Sequence, residues 1–333
     1  MILEKNANGI AALPMNDSIA TIEKLDIAQL PAGRLSRWWL TLTDSAFGEP
    51  IRIPILALRS TRPGPVLGVT AALHGNEVNG IRVIQKLFQQ VSAADVRGVL
   101  IGVPVVNVPA FHAQQRFFTD DVDLNRIMPG KADGNASEVY ASRLIERFYC
   151  NLNYLIDLHT ASFGRTNSYY VRADMTDPEA ATLARLQNAP IIVSGSGEAG
   201  TLRSQLHERG VVGITVELCD PHIFQRQVID QSLQGLHNTM VHLGMIPGRI
   251  IAPPRPPIEC RTSYWMHTDR GGLLEVLPSL GDVLAPHQTV ARLYNIFGDL
   301  ITEYRSPERG IVVGKSTNPV NQTGGRILHL GVY

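Results

Sequence analysis

From about residue 65 onward the apolar residues of this chain fall into two alternating rhythms: unbroken runs of strand length, and segments in which they return every three or four positions. That alternation predicts strands interleaved with helices, the signature of an α/β sheet. The runs at 66–73 (VLGVTAAL), 98–106 (GVLIGVPVV), 154–158 (YLIDL), 190–194 (PIIVS) and 211–218 (VVGITVEL) read as short buried strands. Val78, Ile81, Ile84, Leu87 and Phe88 share one helical face. A second helix is expected from about 137 to 149, with Val139, Leu144, Ile145 and Phe148 on its apolar side and Asn135 followed by Glu138 as its N-terminal cap. Further helices are expected near 178–188, 201–209 and 222–243. Upstream, 38–58 holds two β-prone segments around a Ser/Gly/Pro turn, a hairpin or two neighbouring strands.

Between Pro247 and Pro257 five prolines fall in eleven residues, a stiff extended connector that cannot continue a helix. Beyond it, from 258 to 333, short apolar runs broken by GG, PSLGD, APHQ, FGD, SPERG and TGG have the spacing of a small all-β unit. The expected organisation is N-terminal β segments over 1–60 packing on a catalytic domain of 61–247, followed by a C-terminal β domain of 248–333.

The composition, 44% hydrophobic and 18% charged, excludes a mainly disordered chain. Thirty basic residues balance thirty acidic ones, leaving no net field to draw nucleic acid or anionic lipid. The basic residues are 25 Arg and 5 Lys, a bias read here as carrying no functional meaning. Cys150, Cys219 and Cys260 form no CxxC pair, so neither a disulfide framework nor a thiolate zinc site is indicated. The opening MILEKNANGIAALPMNDS lacks a signal-peptide core, and no later stretch reaches the roughly 20 apolar residues of a membrane span. A soluble, cytoplasmic protein with no membrane partner is expected, with self-association left open.

Four polar clusters interrupt the apolar runs. His74 and Glu77, in LHGNE, sit where a strand gives way to a helix, and strand carboxyl ends are where open α/β sheets place ligands. An imidazole and a carboxylate three residues apart form a good zinc donor pair; the blander reading is a strand-end His and a Glu complementing the helix N-terminus. In IDLHT, His159 closes a second strand and offers a third protein ligand, leaving the open position a catalytic zinc site needs, while Asp157 could orient the site. Two strand-end His clusters are harder to explain by packing than one. Glu217 lies inside an otherwise apolar strand, where a carboxylate is expensive unless paired or used. Beside a metal it could shuttle a proton; away from one it would be a salt-bridge partner. The loop RFFTDDVDLNR offers Arg116, Asn125 and Arg126, suited to gripping a carboxylate and stabilising an oxyanion, or else a polar surface in which Asp and Arg pair with one another.

HGNE, DLNR followed by Met128-Pro129-Gly130, IDLHT and the late in-strand Glu occur in the order found in the succinylglutamate desuccinylase and aspartoacylase family, and the chain resembles that family over roughly 65–245. The resemblance implies a zinc carboxypeptidase-like α/β fold, a mixed central sheet flanked by helices, with a small C-terminal all-β domain. It implies one zinc per chain on His74, Glu77 and His159, Glu217 as general base and acid, Asn125 and Arg126 on the substrate carboxylate, and Arg116 polarising the scissile carbonyl. The interval from Arg116 to Asn125 is longer than in the shortest members and resembles the subgroup of ectoine-pathway, N-acetyl-diaminobutyrate-type deacetylases. For a further substrate-binding Arg of aspartoacylase, Arg203 and Arg209 compete.

The C-terminal segment also bears a faint likeness to a biotinyl or lipoyl barrel, yet 271–314 contains no lysine for attachment. A cap that limits substrate size is the expected role. The function expected is therefore zinc-dependent hydrolysis of a small N-acyl amino acid or related amine. A metallocarboxypeptidase shares the metal chemistry, and a binding protein that has lost turnover would be expected to lack a ligand or the Glu, which this chain does not.

Overall fold

The computed structural model describes residues 19–333; the reading of the opening segment, residues 1–18, falls outside them. In chain order the first strands are β1 (Ala20–Ile22), β2 (Arg34–Asp44), β3 (Pro50–Arg59), β4 (Val66–Ala71), β5 (Val99–Val103), β6 (Tyr154–His159), β7 (Arg165–Asn167), β8 (Tyr169–Ala173), β9 (Ile191–Ser194), β10 (Val212–Leu218) and β11 (Ile258–Cys260). All but β7 join one ten-stranded sheet in the order β1-β2-β3-β5-β4-β6-β10-β8-β9-β11. It is mixed: β4, β5, β6 and β10 run parallel, whereas β3 meets β5 and β8 meets β10 in antiparallel fashion. The segment expected at 38–58 is the long hairpin of β2 and β3.

Six helices connect and cover these strands: α1 (Asn79–Gln90), α2 (Val108–His112), α3 (Ala136–Arg147), α4 (Pro178–Leu186), α5 (Leu202–His207) and α6 (Arg226–His242). Ile81, Ile84, Leu87 and Phe88 of α1 are buried, as their spacing requires, and pack with α4 and α6 on one face of the sheet. α3 and α5 cover the other face. Asn135 and Glu138 form a reciprocal capping box that starts α3; Asp177 caps α4 with Pro178 in its first turn, where the missing N–H has no helical partner to lose. The helical fold on both faces leaves the carboxyl ends of β4, β6 and β10 side by side at one rim.

After the proline-rich segment the chain re-enters the large sheet through β11 and then forms β12 (Thr262–His267), β13 (Gly272–Val276), β14 (Val283–Leu284), β15 (Thr289–Tyr294), β16 (Leu300–Arg305), β17 (Gly310–Ser316), β18 (Val320–Asn321) and β19 (Arg326–Val332). These make two small sheets around a core of Leu274, Leu284, Leu293, Val312, Leu328 and Leu330. β7, from the α/β portion, pairs with β17 and so binds this unit to the rim of the large sheet. Among the described residues no helix is long and apolar enough to cross a membrane.

Candidate active site

β4 ends at Ala71, and Ala72 turns the chain with φ 52°, which throws His74 and Glu77 onto the rim. Gly75 between them is dictated by crowding, because a Cβ there would stand 2.0 Å from the carbonyl carbon of Ala110 in α2. β6 lies next to β4 in parallel register and delivers His159 beside them. His74, Glu77 and His159 are all buried, and each offers one donor atom within 4.8 Å of the others. The Glu77 carboxylate lies 2.9 Å from His74 Nδ1 and 3.0 Å from His159 Nδ1, and the two Nδ1 atoms are 3.2 Å apart.

The far side of each ring is held by a carboxylate. Asp157 Oδ2 is 2.7 Å from His159 Nε2, and Thr70 Oγ1 donates to the other Asp157 oxygen at 2.6 Å. Asp123 Oδ1 is 3.1 Å from His74 Nε2. Such outer partners fix the ring plane and turn the opposite nitrogen inward, as in metal-ligating histidines. Burial opposes charge on Glu77, yet His74 and then His159 outweigh it and hold the carboxyl well below its usual range. Burial also opposes charge on His159, but Asp157 and Glu77 overcome it and raise the imidazole well above its usual range. Two inward nitrogens and an ionised carboxylate at these separations fit a divalent ion of the zinc type.

Glu217 stands on β10, which pairs with β6 so that Glu217 and His159 are register partners. Its side chain is only 13% exposed and lines the cleft. Asn167 Nδ2 donates to Glu217 Oε2 at 3.1 Å, and Arg172 Nε lies 3.8 Å from Oε1. The neighbouring Cys219, at φ 59°, has its thiol pushed up to about 12 by burial and by Asp220 and Glu217, which disqualifies it as a nucleophile.

Arg116 reaches the same place. Its Nε and Nη2 donate to Asp123 Oδ2 at 3.1 and 2.9 Å, and Nη1 contacts Ser162 Oγ at 2.8 Å and Glu77 Oε1 at 3.3 Å. The loop's Asp and Arg do pair with one another, and Asp123 ties Arg116 to His74. Asn125 Oδ1 accepts from Leu202 N at 2.8 Å, which leaves the amide N–H2 for a ligand. Arg126 is half exposed, with Nε 3.8 Å from Glu198. Of the two competing arginines, Arg203 lines the cleft; Arg209 is turned away onto the carbonyl and side chain of Gln205.

All seven candidates line one cleft of about 940 Å³. The same cleft contains Arg165, Asn167, Tyr170 and Arg172, and from the C-terminal sheets Tyr264, Trp265, His267, Arg326 and His329, none of which the sequence pattern singles out. β7 has only three residues; β8 is as long as β5, and its one usable signal was the polar Arg172 alternating with the apolar Val171 and Ala173.

Residues 63–243 match the model of the succinylglutamate desuccinylase/aspartoacylase catalytic domain. The chain is 28% identical over 287 residues to the N-alpha-acetyl-L-2,4-diaminobutyric acid deacetylase of Halomonas elongata, covering 82% of this chain and 83% of that protein. The product-bound structure of the ectoine utilization protein EutE (DoeB) from Ruegeria pomeroyi superposes with a TM-score of 0.83 at 24% identity, over 92% of this chain and 98% of that one. A succinylglutamate desuccinylase structure from Silicibacter sp. TM1040 gives 0.80 at 23% identity, over 91% and 97%.

Proposed function

The chain belongs to the succinylglutamate desuccinylase/aspartoacylase family, and from that membership together with the cleft we propose that it is a zinc-dependent deacylase cleaving the N-acyl amide of a small N-acyl amino acid. The observation that carries this reading is the convergence of His74, Glu77 and His159 on one point, with Glu217 the register partner of His159 on the neighbouring strand β10. When bound there, zinc supplies Lewis-acid activation of water and of the scissile carbonyl.

Glu217 takes a proton from the attacking water and delivers it to the leaving nitrogen. Asn167 occupies one of its oxygens and fixes the plane of the carboxylate, keeping the other for proton transfer. Water adds to the amide carbon, the C–N bond breaks, and a carboxylate and a free amine leave. Arg116, its guanidinium plane set by Asp123, stabilises the charge that grows on the carbonyl oxygen. The free amide N–H2 of Asn125 and the fork of Arg126 bind the substrate carboxylate, with Arg203 beside them. The segment 248–333 caps the cleft through Tyr264, Trp265 and Arg326 and limits substrate size.

A hydrolysis screen of N-acetyl, N-succinyl and N-formyl amino acids and diamines, with N-acetyl-L-2,4-diaminobutyrate and several dipeptides alongside, tests the reading. Turnover of acylated amino acids is expected. Hydrolysis of the dipeptides alone would replace it with a carboxypeptidase.

A further inference from the structure

The chain that follows His159 grips both oxygens of Glu77. Thr160 N donates to Oε2 at 3.1 Å and Ser162 Oγ lies 2.8 Å from Oε1, so two residues at the end of β6 hold a carboxylate that arrives from the turn after β4. All three residues are buried, Ser162 with 3% exposure. On its other side Ser162 Oγ stands 2.8 Å from Arg116 Nη1. A guanidinium has only donors, so the hydroxyl accepts from Arg116 and its single proton goes to Glu77.

Arg116 is thereby stopped short of Glu77. Its Nε and Nη2 donate to Asp123 Oδ2 at 3.1 and 2.9 Å, which leaves Nη1 to face Ser162 and Glu77. The short bond from Nη1 goes to the serine, while Glu77 Oε1 is 3.3 Å away. Arg–carboxylate pairs in direct contact are among the stronger charge-assisted hydrogen bonds. A guanidinium drawn fully onto Glu77 would compete with a divalent ion for the same oxygen and repel it by its own charge. The site therefore sets a cation beside a candidate metal ligand and interposes a neutral hydroxyl between them.

We propose that Ser162 is a positioning residue that keeps Arg116 from closing on Glu77, which leaves the carboxylate to the metal and the guanidinium to the substrate carbonyl. Ser162 acts through the two residues it separates and touches no reacting atom itself. This inference rests on the metal site of the deacylase reading, but what tests it is metal affinity and not turnover.

Zinc affinity, measured by chelator competition on the full chain, decides it with three variants. Ser162→Ala is expected to bind zinc about tenfold or more weakly, the scale on which partners of metal ligands act. Two effects could produce that loss, the missing bond to Glu77 and the advance of Arg116, and combining Ser162→Ala with Arg116→Gln separates them. With no guanidinium left to advance, most of the parent affinity should return. A double variant as weak as Ser162→Ala overturns the proposal, because the serine would then merely support Glu77; parental affinity in a folded Ser162→Ala overturns it as well. Arg116→Gln alone should bind zinc no more weakly than the parent. Its side chain is partly exposed, so this variant decides the matter should Ser162→Ala fold poorly, and a tenfold weaker hold there overturns the proposal. A parent chain that binds no zinc overturns the metal reading and this inference together. Zinc bound by a chain that hydrolyses no acylated amino acid removes the deacylase reading alone, and the three variants still decide the role of Ser162.

Discussion

Gly314 on β17 and Asn167 on β7 face each other as register partners, and a Cβ added to Gly314 would lie 2.5 Å from Asn167 Oδ1. Asn167 Nδ2 is the donor that holds Glu217, so a glycine of the C-terminal sheet makes room for the amide that sets the proposed proton shuttle.

Gly314→Ala should therefore lower kcat by displacing Asn167, without replacing any cleft side chain. Overpacking of this kind costs about 1–3 kcal/mol of stability, and a displacement on the order of 1 Å at the reacting groups can cost about 100-fold in rate. Asn167→Ala removes the same hydrogen bond without adding bulk and should share the fall in kcat with a smaller loss in melting temperature. Unchanged kcat in both variants would show that Glu217 is positioned by other means.

The proposed metal site is tested by metal analysis. One zinc per chain should be found in the purified protein, and His74→Ala combined with His159→Ala should abolish it, because Glu77 alone cannot hold the ion. Dialysis against a chelator should remove both activity and some thermal stability, since a ligand bound only to the folded state stabilises it by mass action. Zinc content unchanged in the double variant would place the metal elsewhere.

Much of the candidate site is legible in the amino-acid sequence. His74, Glu77, His159 and Glu217 stand out because each interrupts an apolar run at or near a strand end, where a buried polar group needs a reason. The capping box at Asn135 and Glu138 was readable because it is local. The partners that tune the site were not. Arg165 and Asn167 lie on a three-residue strand with no apolar rhythm, and like Arg172 on β8 they acquire meaning only when β17 and β10 arrive from distant parts of the chain. Arg203 and Arg209 have equal claims on paper; in space Arg203 is in the first turn of α5 at the cleft, while Arg209 lies past its end and binds Gln205. Trp265, Arg326 and His329 come from a segment whose turn-rich pattern announces β structure and nothing about which side faces the chemistry.

His329 provides a stability test against pH. It is 2% exposed, and burial together with Arg172, Arg165 and Arg326 depresses its proton affinity well below the ordinary value. In the unfolded chain a histidine titrates near 6.5. Above that pH both states are neutral and the group contributes no slope. As pH falls below about 6.5 the unfolded chain takes up a proton that the folded chain refuses, so stability drops, by at most about 1.4 kcal/mol per pH unit for one group. Melting curves from pH 7.5 to 5 should therefore fall less steeply for His329→Gln than for the parent; parallel curves would mean that the imidazole is protonated in the fold.

The last prediction separates a catalytic Glu217 from a structural one. In Glu217→Gln the new amide oxygen can still accept from Asn167, and neither the His74–Glu77–His159 set nor Asn125 and Arg126 is altered, so folding, zinc content and substrate affinity should persist. What disappears is the ability to take up and release a proton. General acid and base catalysis typically contributes about 100-fold to 10,000-fold, and turnover should drop by that order with KM nearly unchanged. If Glu217 served only as the ion-pair partner of Arg172, which lies 3.8 Å away, the variant would strand a guanidinium, lose melting temperature, and turn over normally in its folded fraction. Melting temperature, zinc content and turnover on one preparation distinguish the two patterns, and a stable, zinc-loaded Glu217→Gln with parental turnover would remove Glu217 from the mechanism.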